Sequence, residues 1–142
     1  MPRWRAAAIE RLPELRGLVA SADTVMALWI ELHIKFEEAY RREPWNDDLI
    51  RRIYAYADWC IDAPRVDDAG RDPFTAVIVA FYEDIPAFVP ARDDMPRWFT
   101  PQEVAQNKAV FSYHIGDAAF ADLIAFMHKN RHRYTGIRRQ GG

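Results

Sequence analysis

Cysteine, serine and glycine are scarce, and each scarcity removes a class of chemistry. One cysteine, Cys60, stands among 142 residues, so neither an internal disulfide framework nor a cysteine-based zinc site can be built. Ser21 and Ser112 are the only serines, and neither has the Gly-x-Ser-x-Gly setting of a hydrolase nucleophile. The six glycines are scattered, leaving no glycine-rich loop to cradle phosphate. The longest apolar-looking run, Phe74 to Tyr82, falls far short of the roughly 20 residues a membrane helix needs. No apolar run follows Met1-Pro2-Arg3-Trp4-Arg5-Ala6 to serve as a secretory leader, so the expected location is the cytoplasm.

What remains is a globular composition. Half the residues are hydrophobic, 13% are aromatic and 28% are charged with interspersed signs. That length suits a single domain, read here as residues 1–129, followed by a basic, flexible tail at 130–142. Charge divides along the same line. Residues 1–127 hold all 21 acidic side chains against 14 Lys and Arg, about −7, whereas 128–142 hold five Lys and Arg and no acid. An acidic body argues against nucleic acid as the principal ligand, because phosphate contacts need a basic surface.

Apolar spacing and punctuation predict an all-α fold, an antiparallel bundle or αα-hairpin stack of about six helices. The first spans about Arg3 to Ala22 and is kinked at Pro13. In the second, Thr24 to Arg42, a stripe of Val25, Leu28, Trp29, Leu32, Phe36, Ala39 and Tyr40 faces one way, while Ile30 and Ile34 lie nearly opposite. A helix apolar on two sides is expected to be central, with neighbours on both. The third starts at Asn46 or Asp47 and buries Leu49, Ile50, Ile53, Tyr54, Tyr56, Ala57, Cys60 and Ile61. Asp72-Pro73 opens the fourth, which runs to Ile85. Val89 to Phe99, with two prolines and a charged Arg92-Asp93-Asp94, is expected to be a loop. Thr100-Pro101-Gln102-Glu103 is a capping box that opens the fifth. Asp117 caps the sixth, whose buried face is Phe120, Leu123, Ile124 and Met127.

Few residues offer chemistry. Glu83 shares a helix side with the small Ala76, Val79 and Ala80, where close packing would desolvate a carboxylate and raise its pKa. With His33 and His114 it forms the candidate set for an interhelical cavity, against the structural alternative that each is paired within the packing. His33 and Glu37, and likewise His128 and His132, are four apart and match one edge of a metal site, yet no complete ligand set accompanies them. No metal or other cofactor is expected, and Cys60 reads as an inert core thiol. Trp45 at a helix entry and Trp59 off the main stripe, with Asp47, Asp48 and Asp62 nearby in sequence, are candidates for an acidic, aromatic partner-binding face.

Three segments carry a resemblance: Leu28-Trp29-Ile30-Glu31-Leu32, Asp48 to Cys60, and Ala80-Phe81-Tyr82-Glu83-Asp84-Ile85-Pro86. Over about residues 12–127 the chain resembles a group of small, uncharacterised bacterial helical proteins. The resemblance implies a bacterial helical module and assigns no site residues. The expected function is a non-enzymatic binding module for another protein, of immunity or regulatory type. The alternatives are a small-molecule binder or enzyme around Glu83 and His33, and a homo-oligomer in which basic tails dock on acidic bodies.

Overall fold

The computed structural model describes residues 1–136, and among them every regular element is helical. By its internal contacts the described chain divides into two compact units, Met1–Phe81 and the residues from Tyr82 to Gly136.

In the first unit, α1 (Arg3–Arg11) and α2 (Arg16–Ser21) are separated by a 3₁₀ turn at Pro13–Leu15, the interruption expected from Pro13. α3 (Val25–Arg41) opens on Thr24, whose hydroxyl accepts the Ala27 N–H at 3.1 Å. α4 (Asp47–Asp62) opens on Asn46, whose side chain accepts the Leu49 N–H at 3.3 Å. These caps satisfy N–H groups that have no partner within a helix. Five residues join α3 to α4, and the contacts run antiparallel: Trp29, early in α3, meets Tyr56 and Cys60, whereas Phe36 meets Tyr54. α4 packs also against α1 and against α5 (Pro73–Val77).

Aromatic rings fill this unit. Trp29 stacks on Tyr56 with centroids 5.4 Å apart and on Phe81 at 4.8 Å, and Phe36 meets Phe81 edge-on at 4.8 Å. Large rings need polar partners when buried. The Trp29 indole N–H donates to the Cys60 sulfur at 3.4 Å, and the Tyr56 hydroxyl donates to the Trp4 carbonyl at 2.9 Å. Ile30 and Ile34 depart from expectation. They are 54% and 46% exposed, so among the described residues no element fully covers the second apolar side of α3.

Asp72 caps α5 as its sequence predicts, but the continuous helix expected to Ile85 is not formed. After five residues α5 widens into a π-helical turn, Ile78–Tyr82, and a 3₁₀ turn follows at Ile85–Ala87.

In the second unit, the expected loop at 89–99 is a helix, α6 (Val89–Trp98). Pro90 lies in its first turn, where a missing N–H leaves nothing unpaired, and Pro96 falls in its last turns. Ala91, Met95 and Trp98 recur at helical spacing and are buried. The capping box at Thr100 and Glu103 forms reciprocally, at 3.0 and 3.1 Å, and opens α7 (Pro101–Gln106). α8 (Lys108–Phe111) follows after a break at Asn107, so the expected fifth helix is two short ones. Gly116, at φ +82°, turns the chain into α9 (Gly116–Lys129). Asp117 lies in the first turn of α9 and makes no capping bond. Phe120, Leu123 and Met127 form its buried face, while Ile124 is only half-buried. Tyr82, Phe99 and Phe111 meet edge-on at 5.4 to 6.3 Å.

Residues 130–136, assigned to the tail, are folded back. Arg131–Arg133 is a 3₁₀ turn, Arg133 donates to the Asp93 carbonyl at 3.1 Å, and Thr135 bonds the Arg97 carbonyl through both its N–H and its hydroxyl. The rest of the expected tail, 137–142, lies outside the described residues. Among the described residues no single helix is long and apolar enough to cross a membrane.

Candidate functional site

Two places gather residues that chemistry or recognition can use, one in each unit.

The first is the entry to α4. Trp45 is 40% exposed and leans its ring edge on Tyr40, centroids 4.8 Å apart. With Glu43, Pro44 and Asp47 it lines a shallow, open depression. Asn46 fixes the helix start, and its neighbours Trp45 and Asp47 are both exposed. The indole is thus held against Tyr40 and remains 40% exposed. Such a depression, with two carboxylates beside an open indole, can take a cationic or apolar side chain.

The other residues grouped with Trp45 in the sequence do not share this place. Trp59 lies twelve positions along α4 from Asp47, about 18 Å by helical rise. It is half-buried, stacked parallel on Tyr56 at 6.0 Å. Asp62, exposed, ends α4 beyond it. Asp48 is occupied: it accepts from Arg51 and Arg52, both at 2.9 Å, and Arg52 also grips Glu14 through both its terminal nitrogens. Hydrogen bonds from Arg51, then Arg52, hold the Asp48 carboxyl below its ordinary range, and Arg52 does the same for Glu14. This network ties α4 to the α1 end of the unit, where Arg52 also donates to the Arg11 carbonyl at 2.9 Å.

The second place is in the second unit, where Glu83, Asp84 and His114 come together. The π-helical turn delivers Glu83 and Asp84, and the turn ending at Gly116 delivers His114. π-Helical insertions recur at functional sites. His114 Nε2 lies 3.0 Å from an Asp84 carboxylate oxygen. Burial raises the Glu83 pKa above its ordinary value; the Asp84 charge adds to that and the imidazole opposes it. A carboxyl that holds its proton longer, beside an imidazole–carboxylate pair, supplies a proton donor and acceptor. His114 and Tyr113 are exposed, so these groups face water and not an enclosed pocket.

His33 belongs to the first unit. It is committed within α3: Nε2 lies 2.6 Å from Glu37, which also accepts from Arg41 at 3.0 Å. His33 Nδ1 is buried with no hydrogen-bond partner. His128 and His132 lose their helical spacing because α9 ends at Lys129. Among the described residues no group of three His, Cys, Asp or Glu side chains can hold a metal ion. Burial pushes the Cys60 thiol up to about 12, against the hydrogen bond from the Trp29 indole, which favours the thiolate.

Asp94 was not singled out from sequence. It is 2% exposed and accepts from Arg97 at 2.7 and 3.1 Å, from the Trp98 indole at 2.9 Å and from Arg133 at 3.5 Å. Its spacing to Arg97 and Trp98, three and four residues, becomes meaningful once 89–98 is known to be helical. The arrangement is saturated and serves structure.

Comparison of the chain with protein-family models, with curated proteins and with solved structures finds no match.

Proposed function

We propose that this chain is a non-enzymatic binding module, of immunity or regulatory type in the cytoplasm of a bacterial cell, that docks a basic surface of another protein against Trp45. The observation that carries this reading is the half-open indole in a depression flanked by Glu43 and Asp47. Tryptophan is enriched among residues whose truncation costs most binding energy. The acidic excess of residues 1–127 would speed encounter with a basic partner and make it salt-dependent. The test is parallel capture from host lysate with the natural chain and Trp45→Ala, followed by affinity measurement with the purified partner. A partner lost tenfold or more with Trp45→Ala, while helical CD is unchanged, supports the reading. Equal binding by both proteins overturns it.

A second reading rests on the Glu83, Asp84 and His114 cluster, which has the groups for proton transfer to a small ligand. Binding that survives Trp45→Ala but fails in His114→Ala would favour it.

A further inference from the structure

We propose that the exposed basic end of α9 docks in the Trp45 depression of a second copy, with the Lys129 ammonium as the anchoring group. The inference rests on the reading of that depression as a docking surface, and names for it a partner that the chain itself supplies.

Many of the cations in this chain already hold a carboxylate. Arg52 holds Glu14 and Asp48, Arg65 holds Asp72, and Arg97 and Arg133 hold Asp94. The end of α9 is different. His128, Lys129, Arg131 and His132 are all exposed, and among the described residues none of them has an acidic partner. Arg131 donates to the His128 carbonyl at 2.8 Å, while no hydrogen bond within the described residues holds the Lys129 ammonium. No acid within residues 128–142 offsets this charge.

The depression offers what such a group needs. Glu43 is exposed and has no ion pair among the described residues, and Trp45 beside it is 40% exposed. A lysine stem packs on apolar ring surface while its ammonium stays with carboxylate and water. An ammonium close to an indole face is also attracted by the ring. Asp47, on the same rim, adds negative charge. Arg42, exposed and next to Glu43 in sequence, opposes the incoming cation, so reversing its charge should strengthen the contact.

Charge also selects a second copy at longer range. Residues 1–127 carry about −7 and residues 128–142 about +5, so the basic end of one copy is drawn to the acidic body of another before they touch. The two surfaces differ, and the contact is heterologous. Lys129 enters the place proposed for another protein's basic side chain, so self-association and partner binding compete.

The experiment is sedimentation of the full chain from about 10 µM to about 1 mM, the range suited to a small polar contact. The expected result is reversible association at about 20 mM salt that is lost at about 0.5 M, where exposed charges are screened. Lys129→Glu and Trp45→Ala should each weaken it at least about tenfold with helical CD unchanged, and Arg42→Glu should strengthen it. Glu43→Lys should weaken it as well, yet a mixture of the Glu43→Lys and Lys129→Glu chains should associate, since each altered surface then meets its opposite charge. A chain that stays monomeric throughout overturns the proposal. So does association indifferent to Trp45→Ala or Lys129→Glu, and so does a mixture no tighter than either variant alone. A host partner that needs Trp45, found with a chain that is itself monomeric, leaves the depression as a docking surface and removes only the second copy from it.

Discussion

Asp72 is the side chain on which the stability of the α5 region depends most. It is 1% exposed, and its two oxygens accept from the Thr75 hydroxyl at 2.7 Å, the Thr75 N–H at 3.4 Å, Arg65 at 2.9 Å and the Val66 N–H at 3.2 Å. Replacing it with alanine removes the helix cap, about 1 kcal/mol. It also leaves part-buried donors at Val66 and Thr75 without this acceptor, which brings the expected loss to about 2–3 kcal/mol. Asparagine keeps one acceptor oxygen and should cost roughly half as much. Arg65 is 63% exposed, so its ion pair is screened by water, and Arg65→Ala should cost under about 1 kcal/mol.

The same contacts make the loss pH-dependent. Burial alone would raise the Asp72 pKa, but the bonds from Thr75, Val66 and Arg65 outweigh it and hold the carboxyl below its ordinary value. A carboxylate depressed in the folded state stabilises fully above its unfolded pKa, near 4, and the contribution fades as pH falls further. Urea unfolding followed by CD and by tryptophan fluorescence should therefore show a gap between the natural chain and Asp72→Asn that is constant from about pH 7 to 5 and narrows below about pH 4. Glu14 and Asp48, which are also depressed, are common to both proteins and cancel in the difference. An Arg65→Ala loss as large as that of Asp72→Ala, or a gap unchanged at pH 3, would refute the reasoning.

Other consequences can be checked with the same preparations. Cys60 is fully buried with its thiol at about 12, so thiol reagents should label the native chain only as fast as it opens, and urea should accelerate labelling steeply. Rapid labelling in buffer would contradict that. Asp94→Ala removes one acceptor from the Trp98 indole and from two guanidinium groups and should cost about 2–3 kcal/mol. Hydrogen exchange at Thr135, whose N–H bonds Arg97, should quicken in that variant; unchanged protection there would show that Asp94 does not hold the segment. Glu83 has a raised pKa, so it contributes stability below its unfolded value and loses it as pH rises through the folded one. Glu83→Gln should therefore raise the unfolding midpoint at pH 7 and change it little at pH 4.

The fold was legible where a local rule is sufficient. Asn46, Asp72 and the Thr100–Glu103 box each place a side-chain oxygen three residues ahead of an unpaired N–H, and each forms that bond in the structure. Pro13 broke its helix for an equally local reason. One failure is local: Asp117, expected as a cap, lies inside the first turn of α9 and caps nothing. Others are less simple. Residues 89–98 read as a loop because two prolines outweighed the recurrence of Ala91, Met95 and Trp98, yet Pro90 occupies the one part of a helix where it removes no bond. The π-helical turn after Val77 and the break at Asn107 have no composition cue, and depend on what the helices pack against.

Surface assignments were less legible still, for a physical reason that Trp45 and Trp59 illustrate. Both are off-stripe tryptophans of similar sequence surroundings, but one presents an open indole while the other stacks on Tyr56. The difference lies in which ring stands beside each in three dimensions. Ile30 and Ile34 run the other way. Periodicity predicted that a second surface would cover them, and among the described residues both stay about half exposed.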